Sequence, residues 1–208
     1  MKRQYFLVED HMLMRQGVVS YLSDQSDFEC AGAAATPQEF FDFMEQGESR
    51  EKIKLLITDL NINGTVDCGL SFIKECKSLF PEMKIAVYSM HSDIGIVGAA
   101  IESGAVAFVS KMSDASELKN ALESLVGGRN YIEPNIARGL FFYERTLSMF
   151  SHRESEILRK ILQGKQNSTI ADELGITKRT VENCISKIYN KTGFSTKEEL
   201  LEHFKDGV

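Results

Sequence analysis

The sequence predicts two domains of different class, an α/β domain with a parallel sheet and, after it, a small all-helical domain. In the first 127 residues, short apolar runs start roughly 23 to 30 residues apart, which is the length of a strand–helix repeat. From Phe150 onward these runs disappear and only helix-period patterns are found. A chain of 208 residues is long enough for two domains of ordinary size.

Five apolar runs are predicted as strands that are covered on both faces, because several of them are apolar throughout and do not alternate. They are Gln4–Val8, Glu29–Ala33, Lys54–Thr58, Lys84–Tyr88 and Ala107–Val109. Helix signals lie between them, among them the capping sequences Thr36–Glu39 and Asp114–Glu117 and the stop Gly127-Gly128. Five strands interleaved with five helices predict a central parallel sheet.

The last third of the chain has the signals of four short helices. Capping sequences start at Ser151 and Ser195, Thr177 is a further N-cap, and Gly164, Gly175 and Gly193 are stops. The middle pair has helix-turn-helix spacing, with Thr177–Thr192 as the recognition helix. Residues 128–146 carry no clear period and are expected to form a linker with some helix. We therefore expect a first domain at 1–127, a linker at 128–146 and a helical domain at 147–208.

Composition and charge narrow the class of protein. Hydrophobic residues at 43% and charged residues at 26% are ordinary globular values. No stretch approaches a membrane span, and the apolar run near Met1 is too short for a signal peptide. Four cysteines without CxxC spacing predict free thiols in a reducing cytoplasm. Residues 1–146 hold 14 Lys/Arg and 21 Asp/Glu, whereas residues 147–208 hold 10 and 9, so the helical part is compatible with DNA.

Polar residues follow four of the five predicted strands. Each alone has an ordinary explanation, since an acid after a strand often caps a helix. The carboxyl ends of parallel strands meet at one edge of a sheet, where ligands bind. The joint arrangement therefore predicts a single site made of Glu9, Asp10, Asp59, Ser89 and Lys111.

The chemistry of this predicted site is that of an aspartyl-phosphate. Clustered carboxylates repel one another unless a cation lies among them, and Mg²⁺ prefers oxygen ligands with room for water. A carboxylate such as Asp59 can be the nucleophile towards a phosphoryl group. Ser89 would donate a hydrogen bond only to the phosphorylated form, which would shift a two-state equilibrium.

Four segments carry a resemblance to a known family. They are Leu7–His11, Leu56–Leu60, Val87–Ser89 and Gly104–Lys111. Residues 1–127 resemble a response-regulator receiver domain, and the whole chain resembles the NarL/FixJ branch, which joins a receiver to a LuxR-type helix-turn-helix. The resemblance implies a flavodoxin-like (CheY-like) α/β fold with strand order 2-1-3-4-5 and a four-helix, all-α LuxR-type domain.

The resemblance also implies roles for single residues. Asp59 would accept phosphate from a histidine kinase, Ser89 and Lys111 would contact the phosphoryl group, and Phe108 would be the switch aromatic. Mg²⁺ would be bound by Glu9, Asp10, Asp59 and the backbone carbonyl of Asn61.

Two features depart from the family pattern. The loop Asn61–Gly69 lacks the usual Met-Pro-Gly and is two or three residues longer than usual, and Met90 stands where a small residue is usual. We hypothesise that Met90 narrows access to the phosphoryl pocket. His91 either flanks the phosphoryl group or is a solvated loop residue.

The C-terminal segment resembles a LuxR-type domain over roughly Leu147–Phe204. Its recognition helix has an apolar face and an opposite polar face, which is either a solvated surface or a DNA contact. The helical spacing and the resemblance favour DNA, with base or phosphate contacts from Lys178, Arg179, Thr180, Asn183 and Lys187. Further phosphate contacts are expected from Lys165, Asn167, Ser168 and Lys191. Leu200, Leu201 and Phe204 are either a dimer face or core.

Together these observations predict a cytoplasmic two-component transcription factor that is not an enzyme. A histidine kinase, double-stranded DNA and a second copy of the chain are the expected partners, the homodimer forming in the active state. One alternative is a regulator whose receiver responds to dimerisation or to a partner without phosphate. Another is a Mg²⁺-dependent phosphatase with a helical accessory domain, although no general acid/base near Asp59 is evident.

Overall fold

The structure is a computed structural model, and it describes residues 2–25, 27–46 and 52–205. The chain divides into two compact units. One consists of residues 1–92 and 100–133, and the other of residues 93–99 and 134–208. In the part of the chain that is described, no helix combines the length and the apolar character that a membrane crossing requires.

The first unit is built on a parallel sheet with the strand order β2-β1-β3-β4-β5-β6. Its strands are β1 (Arg3–Val8), β2 (Phe28–Ala34), β3 (Leu55–Thr58), β4 (Lys84–Ser89), β5 (Ala107–Ser110) and β6 (Tyr131–Ile132). The helices that alternate with them along the chain are α1 (Met12–Gln25), α2 (Pro37–Gln46), α3 (Val66–Leu79), α4 (Ile94–Ser103) and α5 (Ala115–Val126). Of α4, only residues 100–103 belong to the first unit. The predicted α/β class and the order of the first five strands are confirmed.

The sheet has six strands, so the prediction of five was short by one. Strand β6 lies in the predicted linker and pairs in parallel with β5, Tyr131 opposite Ala107 and Ile132 opposite Phe108. A strand of two residues is too short to show a hydrophobic period. The sequence around β6 therefore does not predict a strand. Its strand conformation depends on pairing with the edge of β5.

Apolar side chains cover the sheet on both faces, which explains why the strands are apolar throughout. On one face, Tyr5 and Ile57 pack against Leu22 of α1 and Leu122 of α5. On the other face, the ring of Phe6 meets that of Phe40 of α2 at 5.0 Å between centroids. Phe40 in turn contacts Phe72 of α3 at 5.4 Å, edge to face.

The unusual loop after β3 is a tight turn. Asn63 and Gly64 both have left-handed backbones, with φ of 55° and 79°, and a β-bridge joins Ile62 to Thr65 on either side. Asparagine and glycine are the residues that tolerate this conformation. Thr65 then caps α3 by accepting a hydrogen bond from the Cys68 N–H. The lengthened loop is thus ordered locally, and Ile62 is fully buried at its base.

The second unit is helical. It contains α6 (Pro134–Leu147), α7 (His152–Leu162), α8 (Asn167–Glu173), α9 (Lys178–Thr192) and α10 (Lys197–Lys205). The four helices predicted for the helical domain are confirmed as α7 to α10, and α6 is the helix of the predicted linker. The buried residues of the second unit include Ile157, Leu158, Val181, Ile188 and Leu200.

The caps of these helices are mostly as predicted. Ser151 and Glu154 form a reciprocal capping box, and Thr177 accepts from the Thr180 N–H. The cap of α10 differs by one residue, because Thr196 accepts from the Glu199 N–H at 3.1 Å while the predicted Ser195 donates its N–H to the Glu199 carboxylate.

Of the three residues of α10 that the sequence left as either dimer face or core, two belong to the core. Leu200 and Phe204 are buried, and the Phe204 ring lies 6.1 Å from that of Tyr143.

Candidate functional site

The polar residues that end the strands of the first unit converge on Lys111. Its Nζ lies 2.6 Å from Glu9 Oε2 and 2.6 Å from Asp59 Oδ2. All three side chains are 2 to 4% exposed. Two buried carboxylates at the ends of β1 and β3 therefore share the ammonium group of Lys111, the residue that follows β5. The structure brings together the acids and the lysine that the sequence placed at this edge.

Asp59 is held as a carboxylate by its surroundings. Its Oδ1 accepts hydrogen bonds from the N–H groups of Leu60 at 2.6 Å and Asn61 at 3.2 Å. Burial by itself would raise the pKa of Asp59, but hydrogen bonds from Lys111 and Ser89 and the positive charge of Lys111 outweigh burial and lower it. Asp59 is therefore ionised at neutral pH, the form in which a carboxylate is a nucleophile.

The ammonium group of Lys111 is stabilised in the same way. Burial would lower the pKa of Lys111, whereas its hydrogen bonds to Asp59 and Glu9 and their charges raise it above its ordinary value. The lysine is therefore protonated across the neutral range.

Glu9, Asp10 and His11 form a second cluster whose ligand atoms all lie within 4.8 Å of one another and could hold a metal ion. Asp10 Oδ1 is buried without accepting a hydrogen bond. Its neighbour is His11 Nδ1 at 2.8 Å, an ion pair only when the imidazole is protonated. A buried carboxylate oxygen without a donor fits a hard cation as ligand. His11 was missed from the sequence as a site residue, although it directly follows the two predicted acids.

Asp59 is reached from outside through a cavity of about 310 Å³. Met90 lies on this cavity and is 53% exposed. The complete lining consists of His11, Leu13, Met14, Asp59, Asn61, Met90, His91 and Lys111. Met90 and His91, the two residues after Ser89 that were noted in the sequence, thus both border the entrance to Asp59.

Ser89 and Phe108 lie beneath this surface. Ser89 ends β4 fully buried, and its Oγ accepts from the His91 N–H at 3.3 Å. Phe108 is fully buried in β5 and pairs with Val87 and Ile132. The hydroxyl is close enough to Asp59 to influence its pKa, whereas Phe108 belongs to the core.

In the second unit, helix α9 has one buried and one exposed face. Val181 and Ile188 are fully buried. The polar residues predicted to contact DNA are all exposed: Lys178, Arg179, Thr180, Asn183 and Lys187. Thr180 is also within 2.9 Å of the Thr177 hydroxyl at the N-cap. The structure therefore leaves this face open to a ligand.

Two of the predicted phosphate-contact lysines already have carboxylate partners. Lys165 Nζ lies 2.6 Å from Glu173, which also pairs with Lys160, and Lys191 Nζ lies 2.7 Å from Glu154. Asn167 begins α8, and Ser168 follows it and is exposed. The positions of these four residues could be predicted from the sequence, but the ion pairs of the two lysines could not.

Replacing Glu154 by glutamine is expected to alter the acid stability of the helical unit. Hydrogen bonds from Lys191 and the Ser151 N–H lower the pKa of Glu154 to about 2. A lowered pKa stabilises the fold above the unfolded-state pKa of 4.5, and this contribution is lost as the pH falls towards 2. Unfolding followed by circular dichroism should therefore show a weaker pH dependence between these values in Glu154→Gln. An unchanged pH dependence would contradict this assignment; the exposed Glu202→Gln is the control.

Comparisons with known proteins agree with this geometry. The family model of the response regulator receiver domain matches residues 5–123, and that of the bacterial regulatory proteins of the luxR family matches residues 148–204. The transcriptional regulatory protein DesR of Bacillus subtilis is 28% identical over 201 residues, 97% of this chain and 96% of DesR. The Fimbriae Z protein of Escherichia coli K12 is 27% identical over 207 residues, 96% and 94% of the two chains.

A solved structure has the same fold. RcsB from Salmonella enterica serovar Typhimurium, bound to a promoter in the presence of the phosphomimetic BeF3−, is 22% identical and aligns over 100% of both chains with a TM-score of 0.68. The matched families are those of transcriptional regulators and not of enzymes. Because the receiver match covers more than half of the chain and the second match covers α7 to α9, the chain belongs to the two-component response regulators that join a receiver domain to a LuxR-type DNA-binding domain.

Proposed function

We propose that this response regulator is a transcription factor whose DNA binding is controlled by phosphorylation of Asp59 by a histidine kinase. The observation that carries the proposal is the buried Lys111 ammonium, 2.6 Å from both Glu9 and Asp59, at the base of a cavity open to solvent. It keeps Asp59 ionised, and it is a cation that a phosphoryl group can reach.

In the proposed reaction, a carboxylate oxygen of Asp59 attacks the phosphorus of a phosphohistidine. The P–N bond breaks, the imidazole leaves with the bonding electrons, and an acyl phosphate forms on Asp59. Lys111 then balances charge on the phosphoryl oxygens, and the Ser89 hydroxyl donates a hydrogen bond to them. Phe108 is the proposed switch aromatic, although its full burial requires neighbouring side chains to move with it.

Mg²⁺ is the proposed cofactor. The residues that would hold it are Glu9, Asp10, Asp59 and the backbone carbonyl of Asn61, and the unpartnered Asp10 Oδ1 supports this set. When bound, the ion would neutralise charge on the incoming phosphoryl group. His11 lies in the same cluster, with its Nδ1 2.8 Å from Asp10 Oδ1.

The exposed face of α9 is the proposed DNA contact. Arg179 and Lys178 would donate to guanine, Asn183 would pair with adenine, and Thr180 and Lys187 would take base or phosphate. Outside α9, the proposed phosphate contacts are Lys165, Asn167, Ser168 and Lys191.

RcsB has been solved as dimers bound to DNA, and we propose that this chain likewise binds double-stranded DNA as a homodimer when active. The proposed division is a receiver at 1–127, a linker at 128–146 and a DNA-binding domain at 147–208. Such a regulator would act in the cytoplasm.

The test is footprinting with and without acetyl phosphate and Mg²⁺ on duplex DNA selected from a random-sequence pool. We expect the donor to increase the affinity of the wild type roughly ten-fold or more, within the range of known allosteric coupling. Asp59→Asn should bind DNA without this gain, because an amide cannot form the acyl phosphate. Asp114→Asn, an exposed N-cap substitution in the same unit, should behave as the wild type.

Each outcome separates the candidate functions. A gain that survives in Asp59→Asn would replace phosphate control by control through dimerisation or a partner. Arg179→Ala should weaken DNA binding in both states, whereas Arg138→Ala, an exposed arginine on α6, should not. Equal binding by these two variants would remove α9 as the recognition helix.

Replacing Met90 by alanine is expected to speed labelling of Asp59 by acetyl phosphate several-fold. Met90 lines the cavity that leads to Asp59, so a shorter side chain widens the entrance. The rate is measured with the intact protein by mass spectrometry. Met112→Ala is the control, since Met112 is 75% exposed and outside the cavity lining. An unchanged rate in Met90→Ala would show that access does not limit the reaction.

A further inference from the structure

Glu133 is a buried carboxylate that the proposed reaction does not use. It follows strand β6 and is 6% exposed. Its N–H donates to the Phe108 carbonyl at 3.0 Å, which fixes it beside strand β5. A buried carboxylate requires hydrogen-bond donors, and those of Glu133 lie in the turn between β5 and α5.

Both carboxylate oxygens of Glu133 bind this turn. Oε2 accepts from the Ser110 N–H at 3.0 Å, and Oε1 accepts from the Ser113 hydroxyl at 2.6 Å. The turn is closed by the Ser113 N–H, which donates to the Ser110 carbonyl at 3.1 Å. Lys111 lies inside the turn, between the two residues that Glu133 holds.

The backbone of Lys111 is thus fixed from two sides. On the side of β4, its N–H donates to the Ser89 carbonyl at 2.9 Å. On the side of β6, Glu133 holds its neighbours. A lysine side chain is long and flexible, so an ammonium group 2.6 Å from two carboxylates depends on where its backbone is held.

We propose that Glu133 is a positioning residue for Lys111 in the phosphorylation of Asp59. Its carboxylate acts through the Ser110–Ser113 turn and touches neither Asp59 nor the phosphoryl group. The inference rests on the proposed function, because the reaction that Glu133 supports is the phosphorylation of Asp59.

The first test is the rate at which acetyl phosphate and Mg²⁺ label Asp59 in the full-length chain. Glu133→Ala should slow labelling roughly 10- to 100-fold, the range expected when a reacting group is displaced by about 1 Å. Ser113→Ala removes one of the two hydrogen bonds and should slow labelling less, in the same direction. Glu117→Ala is the matched control: Glu117 accepts from the Tyr131 hydroxyl and so anchors β6 without touching the turn. It should label at the wild-type rate.

The second test separates positioning from general support of the fold. In a Lys111→Ala background, Glu133→Ala should slow labelling no further, because the residue it positions is gone. Where labelling is too slow to follow, the same double-mutant cycle is measured by the denaturant midpoint of unfolding. The shift in midpoint caused by Glu133→Ala should then be smaller in the Lys111→Ala background than in the wild type. Equal effects of Glu133→Ala in the two backgrounds would overturn the inference.

The remaining outcomes are distinct. If the wild type is labelled at Asp59 and both Glu133→Ala and Ser113→Ala are labelled at the wild-type rate, the inference fails while the proposed function stands. If Glu133→Ala does not fold, as judged by circular dichroism, Ser113→Ala and its cycle with Lys111→Ala decide. If the wild type takes no label at Asp59, the proposed function fails and the inference falls with it.

Discussion

Replacing Lys111 by methionine is expected to lower the free energy of unfolding by about 3 kcal/mol at neutral pH. The substitution removes the ammonium group that Glu9 and Asp59 share and leaves two buried carboxylates facing each other. Removing one partner of a buried pair costs more than the pair contributes, because the other charge stays out of water. Guanidinium denaturation followed by circular dichroism measures the change.

The dependence of this loss of stability on pH and on Mg²⁺ follows from the same charges. Since Lys111 lowers the pKa of Asp59 below its ordinary value of 3.8, the wild type owes this stability to the ionised carboxylate. The advantage is present above that pH and is lost in stronger acid, where Asp59 is protonated in either protein. Added Mg²⁺ should restore part of the stability of Lys111→Met at neutral pH, since a cation replaces the ammonium group.

The matched control is Lys119→Met. Lys119, which is half-buried, and the exposed Glu123 form a pair on the surface of α5 at 3.9 Å, which contributes on the order of 0.5 kcal/mol at most. Equal losses in the two lysine variants would contradict a special role for the buried cluster.

Replacing Gly69 by alanine is expected to destabilise the first unit by about 2 kcal/mol and to impair labelling of Asp59. A Cβ at this position would lie 2.2 Å from the carbonyl oxygen of Leu60 and 2.5 Å from its Cα. Both atoms are backbone, so the chain next to Asp59 must move. The Leu60 N–H that binds Asp59 Oδ1 moves with it. Alanine favours a helix by only about 1 kcal/mol over glycine, so the clash decides the sign.

Gly17 in α1 provides the opposite case. A Cβ there has nothing within 4 Å, so Gly17→Ala should stabilise the protein by up to about 1 kcal/mol. Thermal unfolding and acetyl-phosphate labelling of both variants check the pair. A stable and normally labelled Gly69→Ala would show that α3 can shift without disturbing Asp59.

The main features of the acidic site around Asp59 could be predicted from sequence because strand periodicity and strand ends are local. Apolar runs located the strands, and the order of the polar residues after them placed Glu9, Asp59 and Lys111 at one edge. The fact that the two acids share Lys111 is a matter of side-chain length and burial, which no spacing reveals. For the same reason the sequence did not show that Lys165 and Lys191 have carboxylate partners.

Of the two features that were not predicted, the turn after Asp59 had a signal in the sequence and strand β6 with Glu133 had none. Asn63-Gly64 is a typical sequence for a two-residue turn with positive φ, and it explains the lengthened loop after Asp59. Strand β6 and Glu133 had no such signal. Their positions depend on hydrogen bonds to Phe108 and Ser110, about 23 residues earlier in the chain.

Strand β6 also limits how two copies of the receiver could assemble. It is an edge strand of two residues, and it is followed at once by Glu133, whose N–H is already bonded, and by Pro134, which has no N–H to donate. An edge this short and this poor in donors is a weak template for another strand. The sheet is thereby protected against extension from one molecule to the next on this side. Self-association on this side would therefore have to use side chains of helices and not the pairing of strands.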